Sequence, residues 1–161
     1  MRKMLLSMQP FWKEKIMSGE KIYEYRNRFP NEEMWAYLYV SNPISGISGI
    51  LHLGRYTLLE DWKVKYARQP EVIERICTYE SRKNKMAMPV LSYQETSIIT
   101  RDELVEKLEK FVVPQSYYYL NDNMELTQYI ESTIEVYGRM KENEFIENDL
   151  SNICRNYMEY I

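Results

Sequence analysis

An α+β protein is expected from this sequence: a small β-barrel with flanking helices and a C-terminal helical extension. Three observations carry that expectation. Short apolar or aromatic runs at residues 4–9, 34–40 and 44–54 are bounded by proline, asparagine and glycine, the pattern of strands and their turns. Glycines 46, 49 and 54 punctuate the third run, as in a strand that bends around a barrel corner, and barrel closure removes exposed edges. Apolar residues recur at three-to-four spacing between residues 57 and 81 and again beyond Leu120, which is helical periodicity.

Residues 4–9 read as a short buried strand. Pro10 then opens a helix over residues 11–18, because a proline in the first turn loses no hydrogen bond, and Gly19 suits its left-handed stop. A strand begins near Lys21. Side chains alternate along it, so Glu24 and Arg26 project together, opposite Tyr23 and Tyr25, while Lys21 sits at the turn. Residues 27–33 read as a loop, with Pro30 extending the residue before it. Residues 34–40 suit a central strand that turns at Asn42-Pro43.

Two helices are expected between residues 57 and 81, the first holding Leu58, Leu59 and Trp62, the second Val72, Ile73, Ile76 and Tyr79, with Pro70 at its start. A basic loop, residues 81–85, leads into a strand over 86–99. Thr100 caps the next helix, and Glu103 completes a capping box. Leu104, Leu108 and Phe111 form its buried stripe. Beyond Leu120 two amphipathic helices are expected, one with Leu126, Ile130, Ile134 and Tyr137, the other with Ile146, Leu150, Ile153 and Tyr157, and Gly138 as the stop between them. Their stripes require a partner, either the barrel or a second copy of the chain in a homodimer.

Residues 5–10, through Gly19-Glu20-Lys21 to Glu24-Tyr25-Arg26, resemble the opening of ASCH domains, relatives of the PUA-like RNA-binding fold. Residues 87–93 fall where an ASCH return strand is expected, and residues 114–120 are similar to the family's closing strand. The resemblance implies a PUA-like barrel over residues 1–120. An acidic helical extension, residues 121–161, is then expected to pack on it. RNA-related roles follow as an implication of the resemblance.

Composition narrows the function classes. A length of 161 residues suits one domain able to bury a core of its own. No apolar run approaches the roughly 20 residues needed to span a bilayer. The N-terminal apolar run breaks at Gln9-Pro10 with no small-residue cleavage site behind it, so a cytoplasmic protein without a membrane partner is expected. Cys77 and Cys154 lie far apart and belong to no Cys/His cluster, and His52 is the one histidine. No metal or cofactor is therefore expected, and both thiols read as buried. His52 reads as a strand-face residue. The net charge of −3 is unevenly spread: residues 121–161 carry nine acids and three bases, whereas residues 1–30 carry seven bases and three acids. Bulk attraction to phosphate is thus excluded as the main grip on nucleic acid.

The junction of Lys21, Glu24 and Arg26 concentrates the chemistry. Arginine and lysine are donors suited to a phosphate or a carbonyl oxygen, and a carboxylate accepts from an exocyclic amino group such as that of cytosine. Trp12 and the many tyrosines offer stacking walls. The same three residues also suit a salt-bridged strand on a solvated face; the resemblance implies the ligand cleft. Arg28, Gln115, Ser116 and Tyr117 complete the expected binding set, the amide and hydroxyl reading a base edge or sugar. Gln9 stands where ASCH domains often carry a basic residue, which argues against a strongly anionic ligand.

Two other functions remain open. Some small ASCH proteins are amidohydrolases that remove acyl groups from modified cytidine with a lysine, a threonine and a glutamate, and ribonuclease activity is attributed to other members. Lys21 stands at the matching lysine, whereas Glu24 occupies the threonine position, so a hydrolase here would use Lys21 and Glu24 by a different route, with Glu24 as general base on water. The remaining alternative is a protein-interaction scaffold working through the C-terminal helices. In a further variant, the acidic tail covers the basic cleft.

Overall fold

The computed structural model describes all 161 residues. Its elements, in chain order, are β1 (Lys3–Met8), α1 (Pro10–Met17), β2 (Tyr23–Arg26), β3 (Met34–Val40), β4 (Gly46–Leu53), β5 (Thr57–Leu58), α2 (Leu59–Lys65) and α3 (Pro70–Ser81). There follow β6 (Met86–Thr96), β7 (Ile99–Thr100), α4 (Arg101–Lys107), β8 (Tyr117–Tyr119), α5 (Met124–Thr133) and β9 (Val136–Glu142), with short 3-10 turns at Leu120–Asp122 and Tyr157–Tyr160. No helix is long and apolar enough to cross a membrane.

The strands form one mixed half-barrel sheet in the order β2-β6-β4-β3-β1-β8. β1 runs parallel to β3, and every other pairing is antiparallel. β6 is the spine. Its first residues, Met86 to Pro89, pair with β2, whereas its later ones pair with β4 and β9. Pro89, which has no N–H to give a ladder, sits where the main partner changes from β2 to β4.

Alternation along β1 and β3 builds the core. Met4, Leu6, Met8, Ala36, Leu38 and Val40 point into the barrel, and Leu5, Tyr37 and Tyr39 point outward under α4 and α5. Both faces of β1 are therefore covered, which is why its sequence reads as a continuous apolar run. In β4, Ser48 and Gly49 oppose the single residue Leu38, forming a bulge. Gly49 lies at φ +96°, and a Cβ there would stand 2.9 Å from the Tyr93 hydroxyl. The expected corner is thus a bulge only glycine fits.

Local signals mark most helix ends. Pro10 and Pro70 occupy first turns, Gly19 takes φ +83° after α1, and the Thr100 hydroxyl accepts from the Glu103 N–H at 3.2 Å. His52 lies on β4 with its ring stacked on Trp35, centroids 4.4 Å apart.

The C-terminal segment departs from expectation. Only the first of the two helices forms, and it ends at Thr133. Residues 136–142 become β9, laid along the free side of β6. Gly138, expected to stop a helix, instead lies at φ +69° in a bulge of β9, whose Tyr137 and Gly138 carbonyls both accept from the Gln94 side chain. The open edge of β6 offers ladder partners that outweigh helical periodicity in an exposed segment. Residues 146–157 are turns rather than a helix, yet Ile153 and Cys154 are buried against α3 and Tyr25. The Arg75 side chain holds this stretch by donating to the Ile153 and Leu150 carbonyls at 3.0 and 2.6 Å. The stripe of α5, Leu126 and Ile130, is covered by the outward face of the sheet and by α4. Cys77 is also corrected: its thiol lies on the exposed face of α3.

Candidate ligand-binding cleft

Parallel β1 and β3 end side by side, with the Ser41 N–H donating to the Met8 carbonyl at 3.0 Å. At their ends the chain opens a concavity of about 520 Å³. One wall comes from Ser7 and Gln9 at the end of β1 and from Trp12 on α1; the other comes from Glu24 and Arg26 on β2. Ser41 and Gln115 close the remaining sides.

Glu24 and Arg26 point to the same side of β2, as two-residue alternation requires. The buried Glu24 carboxylate places Oε1 3.1 Å from the Tyr25 N–H and 3.6 Å from Arg26 Nε. Its other oxygen, Oε2, takes no donor from the protein and faces the cleft. Arg26 donates to the Ser7 carbonyl at 2.8 Å and to the Ser116 hydroxyl at 3.3 Å, so much of its fork is already engaged. The side chains of Ser7, Gln9, Ser41 and Gln115 make no hydrogen bond within the protein. The cleft is therefore lined by free neutral donors and acceptors, one carboxylate oxygen and one partly occupied guanidinium.

Lys21 lies behind this wall rather than on its surface. It is 5% exposed, and its ammonium stands 4.6 Å from the Trp12 ring centroid and 5.2 Å from that of Tyr25. Burial pushes its pKa down, and the nearby Glu24 carboxylate offsets only part of that. Two aromatic faces hold the charge in place of a carboxylate.

The C-terminal segment braces the same wall from behind. Trp12 packs edge-on against Tyr160 and Tyr157, at centroid distances of 5.3 and 5.8 Å. The Tyr25 hydroxyl donates to the Asn152 carbonyl at 3.2 Å and accepts from the Cys154 N–H at 2.9 Å. No residue beyond Gln115 lines the cleft, so the acidic segment supports its back and leaves its mouth open.

Comparison with known proteins now bears on the fold. Crystal structures of the ASCH protein from Zymomonas mobilis superpose with a TM-score of 0.63, covering 83% of this chain and 96% of that one at 24% identity. Its tyrosine-to-phenylalanine mutant covers 84% and 100% at 22% identity, and its serine-to-alanine mutant 83% and 97% at 22%, both with a TM-score of 0.63. The chain has the ASCH fold. No family model matches the sequence, and no curated protein does.

Within this ASCH fold, Glu24, Arg26 and Gln115 share the cleft, and Ser116 meets it through Arg26. Arg28 is exposed beyond the end of β2 and touches no part of the lining. Tyr117 turns inward to pack on Phe29, with centroids 5.3 Å apart, and is half-buried in the core. Ser7 and Ser41 escaped the sequence reading. Their signal was positional: each ends a strand next to a Pro-containing turn or cap, but only the parallel pairing of β1 and β3 brings them together.

Proposed function

We propose that this protein is an RNA- or nucleotide-binding member of the ASCH family that takes one base into the cleft between β1 and β2. The observation carrying this reading is the lining itself: a flat Trp12 wall, a free Glu24 oxygen and unpaired amide and hydroxyl groups around about 520 Å³ of space. A base is planar and carries donors and acceptors on its edge, and an exocyclic amine suits Glu24 Oε2. Neutral lining favours the base over phosphate, in keeping with Gln9 at the mouth. Filter-binding titration against single-stranded RNA, structured RNA and free nucleosides at low salt tests the reading. Glu24→Gln is expected to weaken binding about tenfold, the scale of one charge-assisted hydrogen bond. Absence of binding to all three probes overturns it.

A second reading rests on Lys21. A buried lysine whose amine is desolvated beside a carboxylate is costly, and such groups cluster at sites that do chemistry. This supports hydrolysis of an acylated nucleoside, with Glu24 activating water. Turnover of acylated cytidines that vanishes in Glu24→Gln and in Lys21→Ala would favour it over simple binding.

A further inference from the structure

On the Tyr23 side of β2, away from Glu24, lies a second cavity of about 340 Å³. It forms between β2, α2 and the turns that follow β9. Tyr23, Trp62, Tyr66 and Phe145 supply its aromatic walls. The Tyr23 ring stands at 88° to Trp62 with centroids 5.2 Å apart, and at 73° to Phe145 with centroids 5.5 Å apart. Rings set nearly perpendicular are disposed as adjoining sides of a box, and ring faces carry negative electrostatic potential.

The rim carries the same sign. Glu144, Glu147 and Asp149 line it with a single lysine, Lys65, leaving two negative charges in excess. Asp149 accepts from the Ser151 N–H and hydroxyl, which pull its pKa down and hold it ionised. Glu144 and Glu147 form no ion pair. Lys65 Nζ already stands 5.4 Å from the Tyr66 centroid, so one wall attracts a cation on a flexible, exposed stem. Phe145 is 39% exposed although it walls a cavity, an arrangement suited to a ring that an incoming ligand would cover.

We propose that this cavity binds a small organic cation whose ammonium is methylated. A methylated ammonium is weakly hydrated and needs few or no acceptors, which the aromatic walls lack, whereas a metal ion would need carboxylates converging on a point. The acidic rim draws the charge in, and the ligand displaces Lys65. The site is independent of the Glu24 cleft, because only β2 is shared and its two faces are used separately.

Choline and its uncharged carbon isostere, neohexanol, are the probes, titrated into the full chain and followed by calorimetry and by tyrosine and tryptophan NMR resonances. Choline is expected to bind about tenfold more tightly than neohexanol, the scale of a desolvated cation–π contact. Phe145→Ala is expected to weaken choline several-fold, Lys65→Gln to tighten it, and the double change Glu144→Gln with Glu147→Gln to weaken it and flatten its salt dependence. The two glutamates are exposed, so that variant carries the test should Phe145→Ala fold poorly. RNA titration of the same variants is expected to be unchanged. Equal binding of the two probes, or no response to choline at Tyr23 and Trp62, overturns the proposal.

Discussion

Arg26 donates to the backbone carbonyl of Ser7 at 2.8 Å, joining two strands that share no ladder. β2 pairs only with β6, and β1 lies near the other end of the sheet order. The same guanidinium reaches the Ser116 hydroxyl just before β8, the terminal strand at that end. One side chain thus clasps the two ends of the half-barrel where backbone pairing stops. The concavity beneath it exists because the strands are held together by a side chain and not by a continuous ladder.

Arg26→Ala removes both bonds and leaves the buried Glu24 carboxylate without its neighbouring cation. A loss of about 2 kcal/mol is expected, read from urea denaturation. Arg26→Lys should recover only part of it, since an ammonium cannot reproduce the planar fork. Full stability in Arg26→Ala would show that the sheet ends hold themselves.

Lys21 gives a pH-dependent stability with a definite sign. Its folded pKa is lowered by burial below the 10.5 of an ordinary lysine. In the window between those values the unfolded chain binds more protons than the folded one, so this residue's contribution rises with pH. At neutral pH the full cost of the buried charge is present. Lys21→Met is therefore expected to be more stable than the parent near pH 7, on the order of 1 kcal/mol, with the gap closing toward pH 10.5. Comparing the two proteins at each pH cancels the opposing effect of Tyr25, whose pKa burial raises well above 10.0. A gap that stays constant with pH would contradict the assignment.

Ligand affinity should depend weakly on salt. One partly engaged arginine lines the cleft, so a plot of log affinity against log salt should have a slope of magnitude below about 2. Gln115→Ala, at an exposed position with no hydrogen bond to lose, should weaken binding by about fivefold and leave the melting temperature unchanged. A steep slope, or binding indifferent to Gln115, would move the ligand elsewhere.

The two thiols should differ sharply in reactivity. Cys77 is exposed, while Cys154 is fully buried and burial pushes its thiol up to about 12. A thiol reagent at pH 8 should modify one cysteine rapidly and the second only on unfolding. Rapid reaction of both would mean that the C-terminal segment detaches from Tyr25 and α3.

Much of the barrel was legible in the chain because its signals are local. Pro10, Gly19, Pro70 and the Thr100–Glu103 capping box act within one turn of backbone, and strand alternation puts Glu24 beside Arg26 without reference to any other segment. The C-terminal region was read differently from its outcome. Ile146, Leu150, Ile153 and Tyr157 keep helical spacing, yet that spacing is also satisfied by a turn-rich segment that drops Ile153 and Cys154 into a crevice beside α3. Likewise Gly138, which sequence places at a helix end, serves a β-bulge because β6 had an unpaired side.

The amino-acid order alone determined the α+β pattern, the helix starts and the pairing of an acid and a base on one face of β2, since each follows from dihedral preference or period over a few residues. Folding in three dimensions decided that Lys21 goes behind the wall, that Tyr117 turns inward and Arg28 outward, and that Ser7, Ser41 and Gln115 meet around one hollow. Those outcomes depend on which distant strands pair and which surfaces they bury, and such long-range free energies leave no mark on a short stretch of sequence.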